Sequence, residues 1–367
     1  MRTGNLSELT GTMNAANPFI PAGCVDAVNR RILPSCIDPV AARLIQLYPL
    51  PNVPGTGFFN NNFISNGTLN NDINQFDIRM DHNLSSRDNV FVRYSYSQTD
   101  RVEPPVLGDP VASGDFSSNY LIRGQNGVGG WSRIFGSNLF SEFRFGYNRV
   151  RSDAVHLSFG TDSNAQYGIK GVPNDPRFYG GLPHMPIARF ARLGGPFFRP
   201  QFQTSQVFQF AENLTWTLGR HSMKFGLERR RDLVNYIDLR SLNGELNFPD
   251  GRYSGLGIGD FLLGISSAQR LTLFHQPDLY ADGWQVYAQD SWRVLDNLTV
   301  NLGLRYERFT PLFDRENKLT NIDPATGRVI TATDGSVYER ALVNQDTNDI
   351  APRIGVAWTP TPRLALR

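Results

Sequence analysis

The sequence predicts an all-β protein of antiparallel strands, and three observations support this prediction. Apolar and polar residues alternate with a period of two from Phe76 onward, and helical periodicity is nearly absent. Gly and Pro account for 34 and 23 of the 367 residues, which is typical of a chain with many turns. Successive side chains of a strand point to opposite faces, so this alternation indicates strands with one apolar and one polar face.

Five hairpins with short turns are expected, which amount to about ten strands. Four of them fall within residues 76–97, 122–150, 208–227 and 284–309, and a fifth begins at Ile354. In the fourth hairpin, apolar residues from Leu298 to Tyr306 alternate with polar residues from Thr299 to Glu307. The turns between paired strands are only a few residues long, as hairpins require.

The segments between hairpins are long and rich in Gly, Asn, Pro and Asp, and cover residues 100–121, 152–200, 239–282 and 310–351. Loops beyond about 12 to 15 residues are uncommon in compact soluble domains. Outer-membrane barrels, in contrast, have short periplasmic turns and long outer loops. The asymmetry favours an antiparallel transmembrane β-barrel over a soluble β-sandwich, although both would show one-sided apolar stripes.

The tryptophans are placed as a membrane girdle requires. Trp131, Trp216, Trp292 and Trp358 each precede a short turn by a few residues, so all four would lie at one membrane interface. Trp284 precedes Trp292 on the same face by a distance on the order of 20 Å, given about 3.3 Å per residue and a tilt of about 40°. We therefore predict Trp284 in the opposite girdle. In a soluble sandwich the same rings would fill the core.

Charge and hydropathy restrict the possible partners. There are 36 basic and 34 acidic residues, and a net charge of +2 argues against nucleic acid as a partner. Charged residues make up 19%, below the roughly 25% that is usual in soluble domains. No run of about 18 apolar residues occurs, which excludes a transmembrane helix but not transmembrane strands.

Arginine outnumbers lysine 33 to 3, and several arginines lie opposite the apolar stripes: Arg79, Arg93, Arg144 and Arg305. In a barrel these side chains would face the lumen and form ion pairs, because the planar guanidinium fits carboxylates well. On a soluble sheet the same residues would form a solvated outer face.

Residues 1–75 differ from the rest, and we expect a separate segment with one helix from about Pro39 to Tyr48. Cys24 and Cys36 are the only cysteines. A disulfide between them would stabilise the segment by roughly 2 to 3 kcal/mol and imply an oxidising compartment. Two free thiols are the alternative, because spacing alone does not establish a bond. The expected division is residues 1–75 and 76–367.

No catalytic, metal or cofactor site is predicted. The five histidines lack zinc-ligand spacing: His82, His156, His184, His221 and His275. In the stretch GLGIGD, residues 255–260, Asp260 stands where a dinucleotide loop needs its third glycine, and no βαβ unit surrounds it. Strand carboxylates such as Glu142 and Glu307 fit a polar interior better than a glycosidase pair.

Ordered phrases along most of the chain resemble the β-barrel of TonB-dependent outer-membrane receptors, in particular the Oar-like group. These phrases are NPFIP (17–21), IDPVAA (37–42), YPLPN (48–52), FDIRMDH (76–82), HSMKFG (221–226), DFLLG (260–264), YAQDSWR (287–293), LGLRYE (302–307), DPATG (323–327) and APRIG (351–355). Each phrase is weak alone, but the ordered set is specific.

The resemblance implies a 22-stranded barrel with an internal plug, located in the cell outer membrane, that takes up a ligand with energy relayed by TonB. The implied partners are outer-membrane lipid, the TonB system acting through the plug region of an intact parent, and an unidentified ligand. Residues 1–75 become an extracellular loop. The family's plug and closing strand have no counterpart here, so we expect a fragment with about ten of the 22 strands.

Two other functions remain open at this point. One is an outer-membrane adhesion protein that uses the same barrel and its long loops for contact. The other is a soluble β-rich carbohydrate-active protein.

Overall fold

A computed structural model describes residues 1–54, 62–107, 117–172, 175–178, 180–238 and 240–367. In chain order its elements are β1 (Val25–Asp26), β2 (Arg31–Ile32), a 3-10 helix (Pro34–Cys36), α1 (Pro39–Leu44), a 3-10 helix (Ile45–Leu47), β3 (Asn70–Asn83), β4 (Asp88–Glu103), β5 (Ser118–Ile134), β6 (Leu139–Val155), α2 (Ser163–Tyr167), β7 (Gln201–Leu218), β8 (His221–Ile237), β9 (Glu245–Asn247), α3 (Gly257–Leu262), β10 (Ala268–Arg270), β11 (Asp278–Leu295), β12 (Leu298–Phe309), β13 (Phe313–Asp314), β14 (Thr320–Ile322), β15 (Val329–Thr331), α4 (Val337–Ala341), β16 (Ile350–Thr361) and β17 (Leu364–Leu366).

The long strands form one antiparallel sheet of 11 strands, which confirms the predicted fold class and hairpins. Ten strands lie side by side in chain order, from β3 through β8, then β11, β12, β16 and β17, while β13 pairs with the start of β11. Strands β3 and β17 form the two edges, so the described residues leave the sheet open. Each hairpin turn lies at one end of the sheet, and each long loop lies at the other.

The register separates the sheet into two faces. On the apolar face, apolar residues of neighbouring strands lie opposite each other. Trp131 pairs with Phe143, and Leu214 pairs with Phe225. Further members of this face are Phe76, Ile78, Met80, Val92, Phe145, Phe210, Leu227, Val286, Leu302, Leu304, Ile354 and Val356. The intervening residues form the polar face, because side chains alternate along every strand.

The β7–β8 turn shows how tight these connections are. Leu218 pairs with His221, so only Gly219 and Arg220 lie between the strands. Gly219 has φ +58°, a left-handed conformation that costs glycine little and most residues more.

The strands extend beyond the predicted limits. The first long strand begins at Asn70, and the strands continue to Glu103 and Val155 at their loop ends. The loop ends of the strands are polar, so the alternation of apolar residues that marked the strands fades there. Three helices, α2, α3 and α4, and the β9–β10 and β14–β15 pairs lie in segments expected to be irregular. Within the described part of the chain, no helix has the length and apolar character needed to cross a bilayer.

Candidate ligand-binding site in the loop subdomain

Two of the long loops, β6–β7 and β8–β11, share one apolar core with the N-terminal segment at the loop end of the sheet. We call residues 1–54, 156–172, 180–200 and 240–277 the loop subdomain. Its core contains fully buried residues from distant segments, among them Leu6, Ile32, Leu193 and Leu262. A single core built from several loops holds those loops in fixed relative positions.

A disulfide anchors the start of α1. Cys24 and Cys36 are bonded, with their Cα atoms 5.6 Å apart. Asp38 caps α1 by accepting hydrogen bonds from the backbone N–H groups of Val40 and Ala41 at 2.8 and 2.9 Å. The helix and the following 3-10 turn occupy most of the expected helical range, 39–48.

Arg189 joins three segments of the loop subdomain. Its Nε donates to Asp250 Oδ2 at 2.6 Å, and its Nη1 donates to the backbone oxygen of Thr10 at 2.6 Å. Asn14 adds a backbone hydrogen bond to the carbonyl of Ser254 at 2.9 Å. These bonds connect the N-terminal segment to two loops that are far away in the sequence.

The last four residues of the GLGIGD stretch begin α3, which is buried along its whole length. Asp260 accepts hydrogen bonds from the backbone N–H groups of Tyr253 and Ser254, at 3.2 and 2.6 Å. Burial raises the pKa of the Asp260 carboxyl above its ordinary value, although these donors oppose the shift. Its role is thus to close the turn before α3.

A cleft beside α1, here called the α1 cleft, has a volume of about 590 Å³. Met185, Phe248 and Phe261 contribute apolar walls, and Arg43 and Lys170 contribute cations. Both cationic residues are exposed. Gly168 ends α2 with φ +79°, and a Cβ there would lie 2.6 Å from Nη2 of Arg43, so glycine leaves room for this guanidinium. Ligand sites commonly combine apolar walls with a few polar groups in this way.

A second cleft, of about 530 Å³, lies beside the N-terminal residues. Tyr48 and Phe190 line it, with ring centroids 6.0 Å apart. The Tyr48 hydroxyl donates to the backbone oxygen of Ala191, and burial raises the pKa of this phenol above its ordinary value. Arg2 donates to the backbone oxygen of Tyr48 at 2.5 Å. The polar groups of Tyr48 are thus already bonded within the protein.

The loop subdomain meets the sheet around His156 and Arg199, which are both buried. Arg199 donates to Ser118 Oγ at 3.1 Å and to the Tyr120 hydroxyl at 2.9 Å, so it links the β6–β7 loop to β5. Burial, together with the positive charge of Arg199, lowers the pKa of His156 from 6.5 to about 4. His156 is therefore neutral at physiological pH.

The five tryptophans lie on the apolar face. Trp292 pairs with His221 and Val300, and Trp358 pairs with Leu298, which places both beside hairpin turns. Trp131 and Trp216 hold equivalent positions in their hairpins. Trp284 lies nearer the loop end, where it pairs with Arg229 and Arg308. The membrane girdle that these positions suggest stays a prediction.

The polar face carries the ion pairs expected of its arginines. Arg79 pairs with Asp81 at 2.6 Å, and Arg93 pairs with Asp77 at 3.0 Å. Arg144 pairs with Glu142 at 2.6 Å. Arg305 likewise pairs with Glu307. In the described residues, no three His, Cys, Asp or Glu side chains converge as metal ligands would.

Sequence reasoning missed both clefts and the two cations of the α1 cleft. Arg43, Lys170 and Phe261 belong to three segments that are distant in the sequence, and a period within one segment carries no information about which other segment packs on it. Only the start of α1 had a local signal in the sequence. An Asp cap followed by Pro, here Asp38 and Pro39, marks the start of a helix.

Solved structures of outer-membrane receptors are similar to this chain at low sequence identity. The open form of the ferric-catecholate import receptor Fiu from E. coli K12 is 14% identical, with a TM-score of 0.40, over 80% of this chain and 45% of that chain. The ferripyoverdine receptor of Pseudomonas aeruginosa is 11% identical, with a TM-score of 0.44, over 80% of this chain and 34% of that one. This chain thus spans less than half of either receptor.

A comparison with curated proteins finds no match. The family model described as the outer membrane beta barrel domain matches residues 1–367. The alternating faces and the antiparallel meander agree with that description. The chain therefore belongs to the family of outer membrane β-barrel domains, and the outer membrane is its location.

Proposed function

We propose that the chain is part of a TonB-dependent outer-membrane receptor whose intact barrel takes up a ligand that binds first to the loop subdomain. The observation that carries this proposal is the shared core of the loop subdomain. A fixed, multi-segment surface with clefts at one end of a transmembrane sheet suits ligand capture, because preorganised sites lose less entropy on binding.

The placement of the sheet in the membrane supports the proposal. The apolar face would contact lipid, with Trp131, Trp216, Trp292 and Trp358 at the periplasmic interface and Trp284 at the outer one. The polar face would line the lumen, where its arginine–carboxylate ion pairs would be in contact with water. On this placement residues 1–75 form an extracellular loop, and residues 76–367 form the partial barrel.

The α1 cleft favours an anionic ligand with an apolar part. Arg43 and Lys170 supply two positive charges, against the one carboxylate of Asp38, which caps α1. Met185, Phe248 and Phe261 supply the apolar surface. The carboxylates described above are engaged in helix caps, turns and ion pairs, and we assign this protein no catalytic step. Energy for uptake would come from TonB through the plug of the intact parent.

The test uses outer membranes from cells that produce the protein. The membranes are incubated with an extract of small molecules from spent culture medium, and the bound compounds are identified by mass spectrometry. We expect an anionic compound to be retained, and Lys170→Ala with Arg43→Ala to reduce its retention by roughly tenfold or more, since each charged hydrogen bond contributes about 1.5 to 3 kcal/mol. Equal retention by the variant would contradict the proposal.

Lys318→Ala is the matched control. Lys318 lies in the β13–β14 connection, far from the α1 cleft in sequence, and pairs with Glu316. Its replacement removes one lysine charge, as Lys170→Ala does, at a residue that does not line the cleft. Sequencing the gene on both sides of this reading frame separates transport from adhesion, since a plug and a TonB box favour transport and their absence favours adhesion.

A further inference from the structure

A row of arginines lies on the apolar face, on the loop side of its apolar band. The register places Arg149, Arg229, Arg231 and Arg308 on the same face as Trp284 and Leu227. Most other residues of this face nearer the turns are apolar. Charged side chains on the lipid side are costly at the bilayer centre and much less so at the interface. The row therefore marks the level where the acyl chains end.

Two of these arginines form a cleft of about 340 Å³ with Arg315 from the β13–β14 connection, here called the arginine cleft. Its remaining walls are apolar and consist of Phe208, Phe210 and Leu233. Phe208 pairs with Arg231 and Phe210 pairs with Arg229 across the β7–β8 register. Each cation thus stands directly beside an aromatic ring that belongs to the lipid-facing surface.

The arginine cleft has more positive than negative charge. Arg229 and Arg231 share one carboxylate, that of Asp282, at 2.9 and 2.8 Å. Arg315 approaches Asp278 at 3.4 Å. Three guanidinium groups therefore face two carboxylates. Because one carboxylate cannot satisfy all the donors of two guanidinium groups, N–H donors remain for an additional anion.

Two further contacts favour a bound anion at this level. The guanidinium carbon of Arg229 lies 4.2 Å from the centre of the Trp284 ring, which holds the cation at the position of the predicted outer girdle. On β6, two strands away from Arg229 and outside the arginine cleft, Nε of Arg149 is buried and has no acceptor among the described residues. A buried donor without an acceptor is costly, and an anion from outside the chain would satisfy it.

We propose that the arginine cleft binds the phosphorylated headgroup of a lipid in the outer leaflet, with the phosphate held by Arg229, Arg231 and Arg315. Guanidinium groups bind phosphate through paired N–H donors, and the Phe208 and Phe210 rings contact the first acyl carbons. The proposal rests on the apolar face meeting lipid, as in the proposed function, but not on uptake of any ligand.

The test measures lipid that remains bound when the protein is extracted from outer membranes in a mild detergent. Native mass spectrometry counts the retained lipids, and the probe added back is a diphosphorylated lipid A at a stated ratio to detergent. We expect the wild-type protein to retain the lipid A. The double variant Arg229→Gln with Arg231→Gln should reduce retention by roughly tenfold or more, because the loss of one charged hydrogen bond alone has an effect of about that size.

Arg230→Gln is the matched control because Arg230 lies between the two arginines, points to the polar face and pairs with Asp232 at 2.8 Å. The Arg230→Gln variant should retain as much lipid as the wild-type protein. Arg315→Gln alone, outside the sheet, should still lower retention severalfold, which covers the case in which the double variant fails to fold. Equal retention by all variants would overturn the proposal.

Two additional arms identify the source of the phosphate. The same lipid without its phosphates should fail to bind, and inorganic phosphate at millimolar concentration should leave lipid retention unchanged. Displacement of the lipid by inorganic phosphate would overturn the lipid assignment. If lipid retention fails while spin labels on the sheet still report alternating lipid contact, this proposal is wrong and the membrane placement stands.

Discussion

The sheet and the loop subdomain differ in the exposure of their apolar side chains. In the loop subdomain, Phe261 and Leu262 are 2% and 0% exposed, whereas in the sheet Leu304 and Ile354 are 54% and 76% exposed. Nearly all buried apolar residues lie outside the long strands. The loop subdomain therefore supplies its own apolar environment, and the sheet depends on lipid to supply one.

The largest effect is expected in the core of the loop subdomain. Phe261 packs edge-on against Phe248, with ring centroids 5.3 Å apart. We expect Phe261→Ala to lower the free energy of unfolding of the loop subdomain by about 3 to 5 kcal/mol, because it leaves a cavity. Hydrogen exchange measured by mass spectrometry, in outer membranes, reports this change.

Phe19→Ala is its control, since Phe19 is 70% exposed. This substitution should change the same free energy by less than about 1 kcal/mol. A similar loss for both variants would show that the loop subdomain does not have the cored structure described above.

The second prediction concerns the two faces of the sheet. Phe225 lies on the apolar face and Lys224 on the polar face of β8. We expect Phe225→Arg to destabilise the inserted sheet by about 2 to 4 kcal/mol, because it places a charge against hydrocarbon. Urea titration of protein in bilayers, followed by tryptophan fluorescence, measures the change. Lys224→Arg keeps its charge on the polar face and should be as stable as the wild type. A larger loss of stability in Lys224→Arg than in Phe225→Arg would mean that the face assigned to lipid is the wrong one.

The third prediction is a pH dependence at the junction of the two regions. The pKa of His156 is near 6.5 in an unfolded chain and about 4 in the structure. The unfolded chain therefore binds a proton at His156 more readily than the folded protein does. The contribution of neutral His156 to the free energy of unfolding is complete above pH 6.5 and is lost as the pH falls from 6.5 to 4. The total loss is about 3 kcal/mol, at about 1.36 kcal/mol for each pKa unit.

Hydrogen exchange of residues 156–200 at several pH values, corrected for the intrinsic rates, measures this loss. In His156→Gln, which does not titrate, the additional decrease between pH 6.5 and pH 4 should disappear. A decrease of the same size in that variant would assign the pH effect to other groups.

The smallest of the four effects is expected from the disulfide. Cys24→Ser with Cys36→Ser should lower the free energy of unfolding of the loop subdomain by roughly 2 to 3 kcal/mol, because the unfolded segment gains conformational entropy. Proteolysis of intact cells measures the exposure of residues 1–54. The β14–β15 hairpin, residues 320–331, should be cleaved at an unchanged rate; a change there would indicate a global effect.

The sheet was predictable from the sequence because each strand carries its own signal. Leu302 and Leu304 alternate with Gly303 and Arg305, and the pattern requires no knowledge of neighbouring strands. The alternation also placed the arginine pairs correctly opposite the apolar face. The limits of the strands were less accurate, since Ile73 is the only apolar residue among residues 70–75 and a single apolar residue shows no alternation.

The loop subdomain was much less predictable. Helix α3 is buried on all sides, so it lacks the one-sided apolar stripe that identifies an amphipathic helix, and its glycines disfavour helix. The α1 cleft arises where Arg43, Lys170 and Phe261 meet through packing of separate segments. Such long-range contacts leave no local periodicity in the sequence.

The alternation of the strands implies that one face of the sheet contacts lipid and the other lines a polar interior. Spin labels at successive positions 302–305 of β12, in bilayers, test it through their accessibility to oxygen and to a water-soluble nickel complex. We expect high oxygen accessibility at positions 302 and 304 and low oxygen accessibility at 303 and 305. Equal accessibility at all four positions, or the opposite alternation, would contradict it.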